Sequence, residues 1–292
     1  MRWSSDSLVR RSRSILSIAV LILLPAAGAM AADIEVFHAD SLAGPMRELK
    51  RAFEAKNAGA ALRLTSGVSR ELAGRILKGD TCDVFAPSSP TVIDEGLMNK
   101  KIAGTGQDAA TWYIVFSANE MVIIVAKGNP LGIREVSDLA RPQLIFARVN
   151  GEKDLATGRT IEFVKRATTR EGKPELAIRI IEGALVDPAK PTTVPEAVAV
   201  VRDGKANAAV VYYSAAVAAR NDVDIIRFPE SVNLSEAIRN AATVPGSARN
   251  PKEATEFIRF LTSPEAQAIL QQTGQPPVAP ALRKGPVPAQ IN

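Results

Sequence analysis

Three stretches of this 292-residue chain carry side chains suited to holding a ligand. In Phe37-His38-Ala39-Asp40-Ser41-Leu42-Ala43, a serine stands between an apolar run and a helix-forming segment. Thr65-Ser66-Gly67-Val68-Ser69 repeats the arrangement. In residues 208–218 an apolar run ends in Tyr212-Tyr213, and Ser214-Ala215-Ala216 follows at once. Small hydroxyl residues before a helix leave room for an anion to approach free N–H groups and the positive dipole end. The same serines can instead cap their helices, which Ser commonly does. A phenol at a strand end occupies the place where open α/β sheets put ligand groups. Its other role there is to fill the core with its hydroxyl in water.

Machinery for covalent chemistry is sparse. His38 is the single histidine, so any triad must use it, and its ordinary role is that of a polar residue at a strand end. No Gly-x-Ser-x-Gly elbow, glycine-rich phosphate loop or paired-cysteine motif occurs in the sequence. A metal site needs several clustered ligands, and none is evident. Cys82 is the single cysteine, so no internal disulfide forms, and it reads as a small buried hydrophobe. These residues point to binding rather than catalysis, with no cofactor.

The elements that must position these residues alternate. Strands are expected over 34–38, 61–65 and 83–86, with helices over 44–56 and 70–78 and another starting at Pro90. This βαβαβ order implies a parallel sheet with helices on both faces. Residues 121–126 form a strongly apolar strand with no helix directly before it. A second series follows: strands at 144–147, 208–213 and 225–228, and helices at 160–169, 175–184 and from 195 to 201. Residues 237–244 read as extended, 251–261 and 264–272 as helices ending at Gly274, and the Pro-rich tail from Gln275 as irregular. The fold class is therefore α/β with two lobes, each a mixed, mostly parallel sheet flanked by helices. Residues 32–120 and 237–292 make the first lobe and 121–236 the second. Two crossings make a two-strand hinge, with the site in the cleft between the lobes.

The N-terminus predicts export. Arg2, Arg10, Arg11 and Arg13 precede a short apolar run and Ala29-Met30-Ala31, the pattern of a signal peptide over 1–31. The apolar run of about ten residues is short for a membrane span. The whole chain carries a formal net charge of +5; the leader holds four Arg and one Asp, leaving about +2. A near-neutral surface has no electrostatic footprint for nucleic acid.

Taken together, the motifs resemble periplasmic molybdate- and tungstate-binding proteins of ABC importers, within the type II periplasmic solute-binding family. Val36-Phe37-His38-Ala39-Asp40-Ser41-Leu42 resembles their Phe-x-Ala-x-Ser-Leu segment. Leu72-Ala73-Gly74-Arg75-Ile76 and Asp83-Val84-Phe85-Ala86 resemble their second helix and third strand. Trp112-Tyr113 with Asn119-Glu120-Met121-Val122 is similar to the crossing region of the archaeal-type branch, and residues 210–218 resemble the Val-Tyr-x-Ser-x-Ala-Val-Ala block. The resemblance covers about residues 34–273. It implies capture of molybdate or tungstate between the lobes and delivery to an ABC permease at the membrane, by a periplasmic monomer. It places hydroxyl contacts on Ser41 and on Ser66 or Ser69, backbone donors near Ala156 and Val194, and a phenol contact on Tyr212. Asp154, with Arg159-Thr160 after it, matches an acidic residue that some members use to complete a six-oxygen metal centre. The second carboxylate of those members is replaced here by Tyr212, so four- and six-oxygen coordination both remain open.

Asp40 departs from the family's small residue. A carboxylate about 4 Å from an anion costs roughly 4 kcal/mol at an effective dielectric of 20. Asp40 is therefore expected to point away or to pair with Arg70 or Arg159. Two other readings stay open: a different ligand (sulfate, phosphate, ferric iron or an organic acid), and a secreted enzyme with His38 as its neutral base.

Overall fold

The computed structural model describes residues 32–151, 154–186 and 192–291, together with Met1 and Trp3. The rest of the expected leader lies outside the described residues. β1 (Ala32–Ala39) leads through a 3-10 turn (Asp40–Leu42) into α1 (Ala43–Lys56). Then come β2 (Ala60–Gly67), α2 (Ser69–Leu77), β3 (Val84–Ala86) and α3 (Pro90–Gly96). β4 (Tyr113–Ala118) and β5 (Met121–Ala126) follow, separated by Asn119-Glu120. The next elements are β6 (Phe146–Arg148), α4 (Leu155–Arg170), α5 (Leu176–Glu182) and α6 (Val194–Arg202). β7 (Ala208–Tyr212), α7 (Tyr213–Ala218), β8 (Val223–Ile226), α8 (Glu230–Asn233) and β9 (Arg239–Ala242) come next. α9 (Pro251–Leu261), α10 (Pro264–Gln272) and β10 (Pro277–Lys284) complete the order.

Three sheets result among the described residues, in the orders β2-β1-β3, β10-β4-β9 and β6-β7-β5-β8. The first is parallel, with His38 beside Ser66 and Val36 beside Val84. α1 covers it because Met46, Leu49 and Phe53 recur at helical spacing and are all buried, and Phe53 meets Phe257 edge-on at 5.1 Å between ring centroids. Asp83 anchors the start of β3: its buried carboxylate accepts from the backbone N–H of Glu35, Arg249 and Asn250. The third sheet has its own core, drawn from Met121 to Ile238. β5 is buried almost throughout, which explains its unbroken apolar sequence.

The two-lobed α/β architecture expected from the alternation is the one observed, with one parallel, one antiparallel and one mixed sheet among the described residues. Antiparallel pairing is more frequent than the sequence suggests: β5 pairs antiparallel with both β7 and β8, and β4 with both β9 and β10. Two strands were not expected. β4 lies immediately before β5, and only the polar pair Asn119-Glu120 marks where one sheet stops and the other starts. β10 corrects the irregular tail. Its prolines mask a strand pattern, but among the described residues it is an edge strand pairing with β4 alone, and its register shifts between Pro277 and Leu282. Proline is tolerated at such positions.

At the crossing, side chains tie the chain segments together. Asn119 Nδ2 donates to Ser214 Oγ at 2.9 Å, and Ser214 Oγ donates to the Ser41 carbonyl at 2.6 Å. Gln275 Nε2 donates to the same carbonyl at 3.1 Å. The backbone of Ser41 is thus held from two directions.

Candidate functional site

A small recess lies where β1, β2 and β3 face α4, α6 and β7. It is lined by Ala39, Asp40, Ser41, Gly67, Ser69, Ser88, Asp154, Leu155, Val194 and Tyr212. Every one of these residues sits within two positions of a helix start. The recess is therefore surrounded by helix N-termini, whose first N–H groups lack intrahelical acceptors and whose dipoles favour negative charge.

The serines do not cap these helices. Neither the 3-10 turn after β1 nor α2 receives a side-chain cap, and Ser69 is the first residue of α2 rather than its cap. Ser41 is 5% exposed, and its Oγ has no hydrogen-bond partner. A buried hydroxyl left unpaired costs free energy, which a partner in the recess would recover. Ser69 Oγ accepts from the Ser88 N–H at 3.2 Å and lies 3.5 Å from Ser88 Oγ. Either hydroxyl can be the donor in that second contact.

From the opposite side come Asp154, Val194 and Tyr212. Asp154 caps α4: its Oδ1 accepts from the Ala156 N–H at 2.9 Å. Burial raises its pKa above the ordinary carboxylate value; the bond from Ala156 opposes the rise, Asp40 adds to it and Arg159 opposes it. Val194 opens α6. Thr193 caps the Glu196 N–H and Pro195 has none, so the Val194 N–H is left without an intrahelical acceptor. Tyr212 is 2% exposed at the end of β7, and burial raises its pKa above the ordinary phenol value. The phenol stays protonated at neutral pH. Its oxygen accepts from Arg159 Nη1 at 2.8 Å.

The structure brings together Ser41, Ser69, Asp154, Val194 and Tyr212. Ser66 and Ala156 do not line the recess. Ser66 is exposed and hydrogen-bonds Asp40, because on β2 it stands one residue before Gly67, which lines the recess, and so faces the other way. Ala156 is fully buried, and its N–H is occupied by Asp154. The pairing expected for Asp40 is corrected: Asp40 lines the recess, but its carboxylate accepts from Ser66, outside the recess, and is not paired with Arg70 or Arg159. Arg159 is directed to Tyr212 and the Ser88 carbonyl. Ser88 was not anticipated. Its signal was present in Pro87-Ser88-Ser89-Pro90, a third strand-to-helix turn rich in small hydroxyls.

His38 lies behind the recess, buried, with Nδ1 donating to its neighbour's carbonyl, that of Ala39, at 2.9 Å. Burial lowers its pKa, so it is neutral at physiological pH. Cys82 is fully buried, with its thiol pKa pushed up by burial, as expected of a small core residue.

Residues 34–275 match the family model for bacterial extracellular solute-binding proteins. The chain belongs to that family. As a solute-binding protein of the ABC transporter type, it falls in a non-enzymatic group that works outside the cytoplasm. It is 29% identical over 247 residues to the molybdate-binding protein ModA of Mycobacterium tuberculosis, covering 84% of each chain. Its fold resembles the periplasmic molybdate-binding protein of Azotobacter vinelandii, with a TM-score of 0.64 at 18% identity, over 85% of this solute-binding protein and 99% of that chain. It is equally similar to the sulfate-binding protein SubI of Mycobacterium tuberculosis, with a TM-score of 0.64 at 18% identity, over 85% and 88% of the two chains. These likenesses establish the fold, and the solutes named belong to those proteins.

Proposed function

We propose that this protein captures molybdate or tungstate in the recess and delivers it to an ABC permease. It is exported by its N-terminal leader, works as a periplasmic monomer and catalyses no reaction. In this reading residues 32–120 and 237–292 form one lobe and 121–236 the other, with closure about the two crossings. The observation that carries the proposal is the buried, unpartnered hydroxyl of Ser41 at a convergence of helix starts. A dianion is well held by many neutral donors when each oxygen receives short hydrogen bonds. Ser41, Ser69, Ser88 and Tyr212 supply hydroxyls, and Val194 supplies a backbone N–H. The similarity to ModA supports the choice of molybdate.

In a second reading the ligand is another small solute, namely sulfate, phosphate, ferric iron or an organic acid, and of these Asp40 and Asp154 favour only the cation, ferric iron. Two carboxylates beside the recess weaken its attraction for any dianion. A thermal-shift panel of these ligands separates the readings. A ligand at 100 times its dissociation constant adds about 2.7 kcal/mol of stability. Stabilisation by molybdate or tungstate at micromolar concentration is expected. A shift with sulfate, phosphate, ferric iron or an organic acid, and none with either metal oxyanion, refutes the first reading.

A further inference from the structure

Arg159 stands on α4 five residues beyond the Asp154 cap, and its guanidinium spans the recess's two walls. Nη1 donates to the Tyr212 phenol oxygen and Nη2 to the Ser88 carbonyl, both at 2.8 Å. Tyr212 belongs to the sheet built around β5, whereas Ser88 follows β3 in the sheet built around β1. The Arg159–Ser88 bond therefore exists only while those walls are close together.

The same side chain constrains the phenol. A guanidinium donates and never accepts. With one lone pair of Tyr212 Oη filled by Arg159, the phenolic proton is left for another acceptor, either the neighbouring Ser88 side chain or a ligand in the recess that both residues line. A hydroxyl that accepts from a cation is polarised into a better donor. The guanidinium carbon also lies 5.7 Å from the ring centroid, so the cation is held near the aromatic face as well as the oxygen. Both Nη groups already have protein acceptors, and Arg159 does not line the recess. It acts on a ligand through Tyr212. Lysine carries the charge but lacks the planar fork needed to reach two acceptors at once.

We infer that Arg159 is the closure latch of the recess and the residue that positions Tyr212 as a hydrogen-bond donor to the ligand. The donor role rests on the oxyanion reading above; the latch does not. Two measurements test it. Spin labels attached through Lys100→Cys and Lys205→Cys, both exposed positions on opposite sides of the cleft, report the separation of the walls in ligand-free protein. The expected result is a shift to longer distances in Arg159→Gln and in Arg159→Lys. Unchanged distances in folded variants of unaltered melting temperature overturn the latch. Calorimetric titration with molybdate and tungstate tests the positioning. Arg159→Gln and Tyr212→Phe are each expected to weaken binding about 10- to 100-fold, the loss typical of a hydrogen bond to a charged group. The double variant should be no more than about threefold weaker than the worse single one, because both changes remove the same donor. Losses that multiply overturn the positioning role. If Arg159→Gln fails to fold, Arg159→Lys, which keeps the charge, carries both measurements. Wild-type protein that binds neither oxyanion while Arg159→Gln opens the cleft supports the latch and refutes the oxyanion reading.

Discussion

Ser41→Ala should make the ligand-free protein more stable and the ligand weaker, a pair of opposite signs that few substitutions produce. The hydroxyl is buried, at 5% exposure, and meets no acceptor or donor. An unsatisfied buried polar group costs about 1–3 kcal/mol. Deleting it recovers part of that cost, offset by a small loss of packing, for a net gain of about 1 kcal/mol. In a protein of this size that is roughly 2–4 °C in melting temperature. With an oxyanion bound, the same hydroxyl donates to a charged oxygen, worth about 1.5–3 kcal/mol, so the dissociation constant should rise roughly 10- to 150-fold. Urea denaturation with and without ligand, paired with calorimetric titration, measures both quantities. Ser214→Ala is the control, because its hydroxyl donates to the Ser41 carbonyl and accepts from Asn119. That change should destabilise the ligand-free protein by about 1–3 kcal/mol. A Ser41→Ala variant that loses more than about 1 kcal/mol of stability and keeps its affinity within twofold would refute the assignment of this hydroxyl to a ligand.

Four further outcomes follow from the same geometry. Asp154→Asn keeps a good helix cap and removes a charge beside the recess, so a four-oxygen dianion should bind at least about tenfold tighter, given that like charges at 4 Å cost several kcal/mol; weaker binding in titration would instead mark the carboxylate as a ligand of the bound centre. His38 has a lowered pKa in the folded state, so stability should be full above the ordinary value near 6.5 and fall as the pH drops below it; denaturation at a series of pH values should show that slope reduced in His38→Gln. Tyr212 has a raised pKa, so its contribution should persist at neutral pH and decline as the pH rises past the ordinary phenol value near 10; alkaline melts of Tyr212→Phe should lack that part of the loss. The Cys82 thiol is buried and its pKa raised, so a disulfide-forming reagent should label it only at the rate of unfolding, and rapid labelling of native protein would contradict its burial.

Much of the fold was legible because its core strands are extreme. Residues 121–126 are apolar without a break because β5 is covered on both faces, and α1 announces itself through Met46, Leu49 and Phe53. β4 was hidden by that same apolarity, since only Asn119-Glu120 separates it from β5. β10 was hidden by prolines that an edge strand can carry. The recess was legible at Ser41, Ser69 and Tyr212 because strand ends and helix starts can be read from local pattern. Asp154 and Val194 came from family resemblance, and local pattern did not reveal them. Ser66 and Ala156 stand outside the recess by one residue, beside Gly67 and Leu155 that line it: on a strand or a helix start, a single step turns a group from the recess to solvent or core. The partners of Arg159 and Asp40 lie 53 to 71 and 26 positions away in the chain, respectively, and no local pattern encodes such pairs.

Charge alone cannot make this recess an anion site. Asp40 and Asp154 each oppose a dianion by an amount on the order of 4 kcal/mol at 4 Å. A helix start returns about 0.3–2 kcal/mol. The carboxylates are, however, already engaged: Ser66 donates to Asp40 and the Ala156 N–H to Asp154. These bonds engage part of their negative charge, while the Ser41 hydroxyl has no protein partner among the described residues. Selection then depends on whether a ligand's oxygens reach several fixed donors at once. A smaller oxyanion that satisfies only some of them gains too little to offset the two carboxylates. In the oxyanion reading proposed above, the acidic residues would raise the threshold that the donor geometry must clear, and size discrimination would follow from the repulsion as much as from the attraction.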